Sequence, residues 1–340
     1  MKNIIVIYND DAVPKRGVEG DVVSLNAVVK ASEDVEGALI ESGCCTLRIG
    51  LNSGNLFDAI KKIHTLKPCI VFNLCEAFDG DPSKEMNVAA LFELLDVAYT
   101  GSPPTVLRLT ADKGKTKQIL LHHNIHVPLG LEIKHQVPNL KSQISRLQFP
   151  LIVKPLLEDG SIGIDGDSVT YEIEKLKVKI EFIFEKYKQP AIVEEYIDGR
   201  EFNVSIIGNH LPDILPVAEI DYSQIPSHNP KILCYKSKWI KDSDLYNRIQ
   251  SICPADITRD IEGKIKEVAL KAYKATGCRD YARIDIRLKD DKTPVILEVN
   301  SNPDISIEAG MAKSAIAAGL TYSDLIKKIL TTAAERYQWT

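Results

Sequence analysis

Much is missing from this chain of 340 residues, and each absence removes a class of protein. There is no CxxC pair. The seven cysteines are odd in number and scattered from Cys44 to Cys278, with one adjacent pair, so neither a disulfide framework nor a zinc site is indicated. Reduced core cysteines in a cytoplasmic protein are the default reading. No segment reaches the roughly 18 apolar residues of a membrane span. The run Ile4–Ile7 is too short for a signal-peptide core and reads as a first buried strand. Positive charge is not in excess: the net charge of −5 gives no electrostatic case for nucleic acid or an anionic membrane. A GxxxxGK[ST] loop is absent, and no GxGxxG follows a strand, so neither a Walker site nor a dinucleotide-binding site is supported. Internal repeats and low-complexity tracts are lacking too. What remains, 44 % hydrophobic and 26 % charged, is ordinary soluble globular composition, long enough for two or three separate cores.

Along the chain, strand 2–8 leads through a Gly- and Pro-containing loop to a helix over 22–42, then a strand over 69–74, the acidic loop EAFDGDPS (76–83) and a helix through Leu95. This alternation predicts an open, mostly parallel sheet. Residues 102–104, SPP, mark a boundary. One helical stretch is expected over 105–124, then strand PLIVKP (150–155), the glycine-rich loop EDGSIGIDG, and a helix over 171–188 with Ile173, Leu176, Ile180, Ile183, Phe184 and Tyr187 on one stripe. Strands AIVEEYI (191–197) and EFNVSIIG (201–208) follow. Residues 222–255 are polar, rich in Pro and Lys and show little periodicity, as expected of a functional lid. A helix over 256–276 stops at Gly277, and helix closes the chain from Met311 onward.

The most informative stretch is Tyr281–Asn300, which alternates as a hairpin around the polar turn KDDKT. Arg283, Asp285 and Arg287 share one face of the first strand. Val295, Leu297 and Val299 form the apolar set of the second, and Glu298 and Asn300 its polar face. Closure at 289 and 294 puts Asp285 opposite Glu298 and Arg283 opposite Asn300. Two opposed carboxylates repel; a divalent cation removes that penalty, and two carboxylates plus an amide oxygen are the hard-oxygen set Mg²⁺ prefers. The alternative is a solvated polar face with two ordinary salt bridges. Lys113 after Asp112, Lys154 at the end of a buried strand before a glycine-rich loop, and the acidic VEEYIDGRE segment complete what a nucleoside triphosphate requires: charge neutralisation, close backbone approach and a bridging metal.

YTGSPP (99–104), ADKGKTK (111–117), FPLIVKP with EDGSIG (149–163), VEEYIDGREFNV (193–204), CPA (253–255), GCRDYARIDIR (277–287) and ILEVNSNPD (296–304) together resemble the ATP-grasp superfamily and, within it, the D-alanine–D-alanine ligase family, over essentially the whole chain. The resemblance implies an α/β fold of three subdomains (1–102, Rossmann-like; 103–190; 191–340, carrying the lid 222–255), with ATP between the second and third and the substrates facing the first. It implies that Lys113 and Lys154 hold the ATP phosphates and adenine edge. Glu194 would accept from the adenine amino group, the backbone of Glu195–Tyr196 beside Leu297 would pair the adenine, and Glu201 would hold the ribose. Gly160, Ser161 and Gly163 would cover the phosphates. Lys238 would reach the γ-phosphate, although Lys236 and Lys241 lie close by in sequence. Asp285, Glu298 and Asn300 would hold Mg²⁺ or Mn²⁺, and Arg283 would stabilise the acyl-phosphate. Dimerisation is common in the related ligases, and no residue here establishes it.

The chain departs from the family where D-alanine is read. Val22 stands at a glutamate position, Glu76 at a histidine, Gly160 at a serine, Trp239 at the lid tyrosine, Ala309 at the serine anchoring the second substrate, and Asp304 at an oxyanion-hole glycine. Val22, Gly160 and Trp239 are expected not to rebuild the family's hydrogen-bonded link of lid, loop and substrate amine, and loss of specific partners costs the cognate substrate orders of magnitude. Glu76, Asp79 and Asp81 are expected to make the new pocket acidic. The expectation is an ATP-dependent, ADP-forming carboxylate–amine ligase acting on small molecules, one of them an amino acid. Two alternatives stand beside it: a divergent D-alanine–D-alanine ligase, or a nucleotide-binding regulator without ligase chemistry.

Overall fold

Ile4, Ile5, Val6 and Ile7 are all at most 2 % exposed, and a strand apolar on both faces belongs at the centre of a covered sheet. In this computed structural model, which describes residues 3–11, 13–134 and 139–337, that strand is β1 (Asn3–Asn9). The Lys2 expected to begin it lies outside the described residues. β1 runs parallel to β2 (Cys45–Leu51) and β3 (Ile70–Asn73) in the order β2-β1-β3, with α1 (Val22–Glu41) and α2 (Leu56–Leu66) as crossovers and α3 (Glu85–Leu94) after β3.

The single helix expected over 105–124 is two. Asp112 leaves helical geometry at φ −95, ψ 94, and its side chain accepts from the backbone N–H of Lys115. It thereby ends α4 (Pro104–Ala111) and caps α5 (Lys113–His122). The break turns Lys113 inward, 6 % exposed, instead of onto the surface.

A second, antiparallel sheet is built from β4 (Gly130–Ile133), β5 (Leu151–Pro155), β6 (Val169–Thr170) and β7 (Ala191–Glu195) in the order β4-β7-β5-β6, with the short α6 (Leu140–Gln143) between β4 and β5. α7 (Ile173–Tyr187) covers it through Leu176, Ile180, Ile183 and Tyr187, the stripe legible in the sequence.

The third sheet starts with β8 (Arg200–Ile207), β9 (Asp213–Ile214) and β10 (Ala218–Asp221). The segment 222–255 is not structureless: it carries α8 (Tyr235–Trp239), α9 (Asp244–Arg248) and β11 (Gln250–Ile252), the last paired with β10. After α10 (Arg259–Thr276) come β12 (Tyr281–Leu288) and β13 (Pro294–Asn300), giving the order β11-β10-β8-β12-β13, with β9 on β8. α10 buries Ile265, Ala269, Ala272 and Tyr273 against it. The closing helices α11 (Gly310–Ala317) and α12 (Tyr322–Glu335) share a core with the first sheet: Leu325, Ile326 and Ile329 pack with Ile4, Val6 and Phe72.

The β12–β13 register opposes Asp285 to Glu298 and Arg283 to Asn300, as the sequence suggested. Closure differs, however. Leu288 pairs with Pro294, and a bulge between Asp285 and Ile286 leaves Leu297 unpaired. The bulge exchanges faces: Ile296, not Leu297, joins Val299 in the core, and Leu297 lines a cleft between the second and third sheets.

Candidate active site

Two adjoining clefts share Asp159, Gly160, Lys238 and Arg283 on their common wall. The first, about 890 Å³, lies between the second and third sheets and receives Lys113, Lys154, Glu194, Glu201, Asp285, Leu297 and Glu298. The second, about 910 Å³, opens toward the first sheet and receives Glu76, Trp239, Asn300 and Asp304. Residues spread over more than two hundred positions thus meet at one place.

In the first cleft most of the carboxylates are matched by a cation; Glu158 and Glu195 are the exceptions, held by Gln189 and by the Gln148 N–H. Arg283 grips Asp285 with two hydrogen bonds, Nε to Oδ1 at 2.7 Å and Nη2 to Oδ2 at 2.9 Å. Asn203 and Asn300 also donate to Asp285. Lys113 Nζ lies 2.6 Å from Glu298 Oε1 and 3.0 Å from Asp159 Oδ1. Burial opposes ionisation of Glu298, yet Lys113, with Lys154 and Arg283 near, outweighs it and holds the carboxyl down at about 2. The repulsion anticipated between Asp285 and Glu298 is therefore relieved by Arg283 and Lys113. Among the described residues no three acidic, His or Cys side chains converge as a metal cage. The donors that do converge are two opposed carboxylates and an amide, the set for an ion that takes its remaining ligands from phosphates and water. Glu298 Oε1 has only a charge contact with Lys113, not an aligned hydrogen bond, so a buried acceptor faces the cleft with a lone pair open. The residues fit a hard divalent cation.

Glu194, fully buried, stands between two ammonium groups: Lys154 donates to Oε2 at 3.1 Å and Lys117 lies 2.8 Å from Oε1. Burial disfavours its charge, but the two lysines hold its carboxyl below the usual range. Lys117 also donates to the Leu297 carbonyl at 2.9 Å, the one left unpaired by the bulge. Lys117 escaped the sequence reading; its signal was there, four residues and so one helical turn after Lys113. Glu201 is held by Arg287 (Nε 3.0 Å, Nη2 2.6 Å) and by the Tyr222 hydroxyl at 2.8 Å.

At Glu195–Tyr196, where backbone pairing with the adenine is expected, both N–H groups are already engaged. Glu195 N–H donates to the Leu129 carbonyl and Tyr196 N–H to that of Pro150, while the Glu195 side chain accepts from Gln148 N–H. The donor without a partner on this edge, among the described residues, is Ile197 N–H, on the wall of the same cleft.

The lid lies across both clefts. Lys238 lines both, with Nζ 4.9 Å above the Trp239 ring, whereas Lys236 is exposed and Lys241 pairs with Glu308 at the surface. Trp239 Nε1 donates to the Gly160 carbonyl at 2.8 Å, Ser161 Oγ to the Leu233 carbonyl at 2.7 Å, and Tyr235 N–H to the Ile164 carbonyl at 3.0 Å. The Tyr235 hydroxyl donates to the Gly20 carbonyl and accepts from Ser24 N–H at the head of α1. Lid and loop are thus joined through Trp239 and Gly160 themselves, by the Gly160 carbonyl, contrary to expectation, and lid and first helix through Tyr235. Val22 itself lines a separate basic pocket beside Lys15 and Arg16. Gly163, at φ +74, is required, since a Cβ there would meet Pro155 Cγ at 2.5 Å.

In the second cleft Asp79 and Asp81 do not contribute, which corrects the expectation. Asp81 is held by Arg16 at 2.5 Å and Lys15 at 3.2 Å, and Asp79 accepts from Ser53 N–H; a rigid turn consumes both. Ala309, the N-cap of α11, lines neither cleft. Glu76 and Asp304 do line it, joined by Glu85, which the sequence did not single out. Enclosure by the walls, then Asp304, pushes Glu76 up to about 8; its side chain still touches solvent, and water moderates that rise.

Comparison with known proteins bears on the fold and the family. Residues 127–331 match the model of the D-ala D-ala ligase C-terminus. An uncharacterized protein, y4sG, of Sinorhizobium fredii is 33 % identical over 79 % of this chain and 75 % of its own length. The D-alanine–D-alanine ligase of Bordetella petrii is 30 % identical over 76 % and 74 %. The crystal structure of the Bacillus anthracis D-alanine–D-alanine ligase superposes with a TM-score of 0.79 at 23 % identity, covering 99 % of both chains. VanG D-Ala:D-Ser ligase of Enterococcus faecalis does so at 0.72 and 21 %, over 98 % and 99 %. With ATP-grasp architecture and a matched ligase domain spanning more than half its length, the chain belongs to the D-alanine–D-alanine ligase family of ATP-dependent, ADP-forming ligases.

Proposed function

We propose that this ligase joins a carboxylate, one partner being an amino acid, to an amine through an acyl-phosphate, with a specificity other than D-Ala-D-Ala. The observation that carries the reading is the pairing of a cleft that gathers Lys113, Lys154, Lys238 and Arg283 with a second cleft lined by Glu76, Glu85 and Asp304. In the first cleft Lys113, Lys154 and Lys238 would neutralise a triphosphate, and the apolar wall of Ile152, Ile197 and Leu297 would take a purine face. Asp285, Glu298 and Asn300 would hold Mg²⁺, which when bound supplies charge neutralisation across the phosphates. Arg283, on the wall common to both clefts, would stabilise charge developing on the transferred phosphoryl group and the tetrahedral adduct. A carboxylate in the second cleft would attack the γ-phosphate, the amine would displace phosphate from the acyl carbon, and the products would be the amide, ADP and phosphate. The closed lid excludes water from that acyl-phosphate. No helix among the described residues is long and apolar enough to cross a membrane, and we place the enzyme in the cytoplasm, where ATP is supplied.

The test is a matrix of L- and D-amino-acid pairs with ATP, read by phosphate release and by product mass. Turnover is expected for some pair other than D-Ala with D-Ala, and Glu298→Ala should abolish it for every pair. Efficient D-Ala-D-Ala synthesis alone would establish a divergent cell-wall ligase instead. ATP binding without ADP release for any pair would favour a regulator.

A further inference from the structure

The two clefts differ in how their acids are matched. In the first, Asp159, Glu194, Glu201, Asp285 and Glu298 each have a lysine or arginine within 3.1 Å, and only Glu158 and Glu195 have no ion pair among the described residues. In the second, Glu76, Glu85 and Asp304 have no ion-pair partner among the described residues. Of the two cations on its wall, Arg283 is held by Asp285, and Lys238 stands between the clefts with Asp304, Asp285 and Glu76 all acting on it.

Glu85 is the most informative of the three. It is 9 % exposed, and Asn302 Nδ2 donates to its Oε1 at 2.9 Å. Its Oε2 has no partner among the described residues and lies on the cleft wall. Asn302 is itself fixed, donating to the Cys75 carbonyl and accepting from the Tyr281 hydroxyl, so Glu85 is held in place and not a mobile surface acid. Burial, with Asp159 and Glu76 near, pushes its carboxyl well up. Glu85 is buried, Asp304 half-buried and Glu76 exposed; a buried acid without a counter-ion is costly to ionise, and Lys238 and Arg283 offset only part of the rise at Glu76.

An ordinary zwitterionic amino acid brings one ammonium, which one carboxylate satisfies, leaving two unmatched. We infer that one of the two substrates is an amino acid with a cationic side chain, an ammonium or guanidinium seated against Glu85 and Glu76, with Asp304 serving the α-amino group. This rests on the ligase reading above and narrows it to a substrate class. Binding would draw protons off Glu76 and Glu85, so KM for such a substrate should fall as pH rises toward 8.

The experiment uses the intact enzyme with ATP and compares lysine, ornithine and arginine of either hand with norleucine, the uncharged counterpart of lysine, each paired with a panel of amino acids. A cationic member should raise kcat/KM by about tenfold or more over norleucine, since a charged hydrogen bond is at stake. Glu85→Gln, which keeps the Asn302 bond, and Glu76→Gln should each reduce that preference by about tenfold. ATP-induced stabilisation, measured in parallel, reports that each variant is folded. Turnover with norleucine equal to lysine, or a preference untouched in both variants, overturns the substrate class and leaves the ligase reading standing. Absence of ADP release for every pair overturns both.

Discussion

Lys117 offers the sharpest test of how the proposed nucleotide cleft is held together. Replacing it with methionine keeps an unbranched chain of similar length and removes the ammonium that sits 2.8 Å from Glu194 Oε1 and donates to the Leu297 carbonyl. Losing one partner of a buried ion pair costs about 3–5 kcal/mol when the other is left alone. Glu194 keeps Lys154 at 3.1 Å, which places the cost at the low end of that range. The Leu297 carbonyl, stranded by the bulge, adds about 1 kcal/mol. Against this, Lys117 is itself desolvated, enough to lower its pKa despite Glu194, and that penalty disappears. The expected net loss is about 3 kcal/mol, read as a lowered urea midpoint without nucleotide. Lys154, left as sole counter-ion of Glu194, would be drawn from the phosphate path, and KM for ATP should rise about tenfold. A Lys117→Met protein within about 0.5 kcal/mol of wild type and unchanged in KM for ATP would show that the Lys117–Glu194–Lys154 cluster is incidental.

Three further outcomes follow from the same geometry. Trp239→Phe keeps the ring but loses the donor to the Gly160 carbonyl; about 1 kcal/mol less lid closure, roughly fivefold, should appear as ADP released without matching amide. Arg283→Lys cannot reproduce the paired hydrogen bonds to Asp285, so kcat should fall about 100-fold or more with KM for ATP changed less than about threefold; an unchanged kcat would remove Arg283 from the chemistry. Burial pushes the Glu158 carboxyl up to about 7, a rise that the hydrogen bond from Gln189 and Arg16 only reduce. The folded protein therefore keeps this proton while the unfolded chain loses it, and stability declines as pH rises from about 4.5 to about 7. Glu158→Gln has no such titration, so its stability relative to wild type should grow across that window, by at most about 3 kcal/mol. Equal differences measured at pH 4.5 and at pH 8 would refute the assignment.

The chain itself settles a good deal. Four consecutive isoleucine and valine residues can only be a buried strand, the 3.6-residue stripe of α7 can only be a covered helix, and the alternation of 281–300 opposes Asp285 to Glu298. Less was legible where elements are short or half-exposed. β2 alternates weakly, and α8 and α9 have five residues each, too few for periodicity to be read. The bulge at Leu297 preserves the opposition of carboxylates while exchanging faces beyond it, which a period-2 count cannot detect. Asp112 could be read as a surface partner for Lys113, yet it is the cap whose geometry turns Lys113 into the cleft.

What only tertiary structure decided is who neutralises whom. Local sequence shows that acids and bases exist near nucleotide-binding segments. It cannot show that Lys113 faces Glu298 across 185 positions of chain, that Arg16 and Lys15 hold Asp81 away from the second cleft, or that Glu85 has no counter-ion among the described residues. Coulomb energy depends on distance in space and on the dielectric between charges, and both are set by packing, not by separation along the chain.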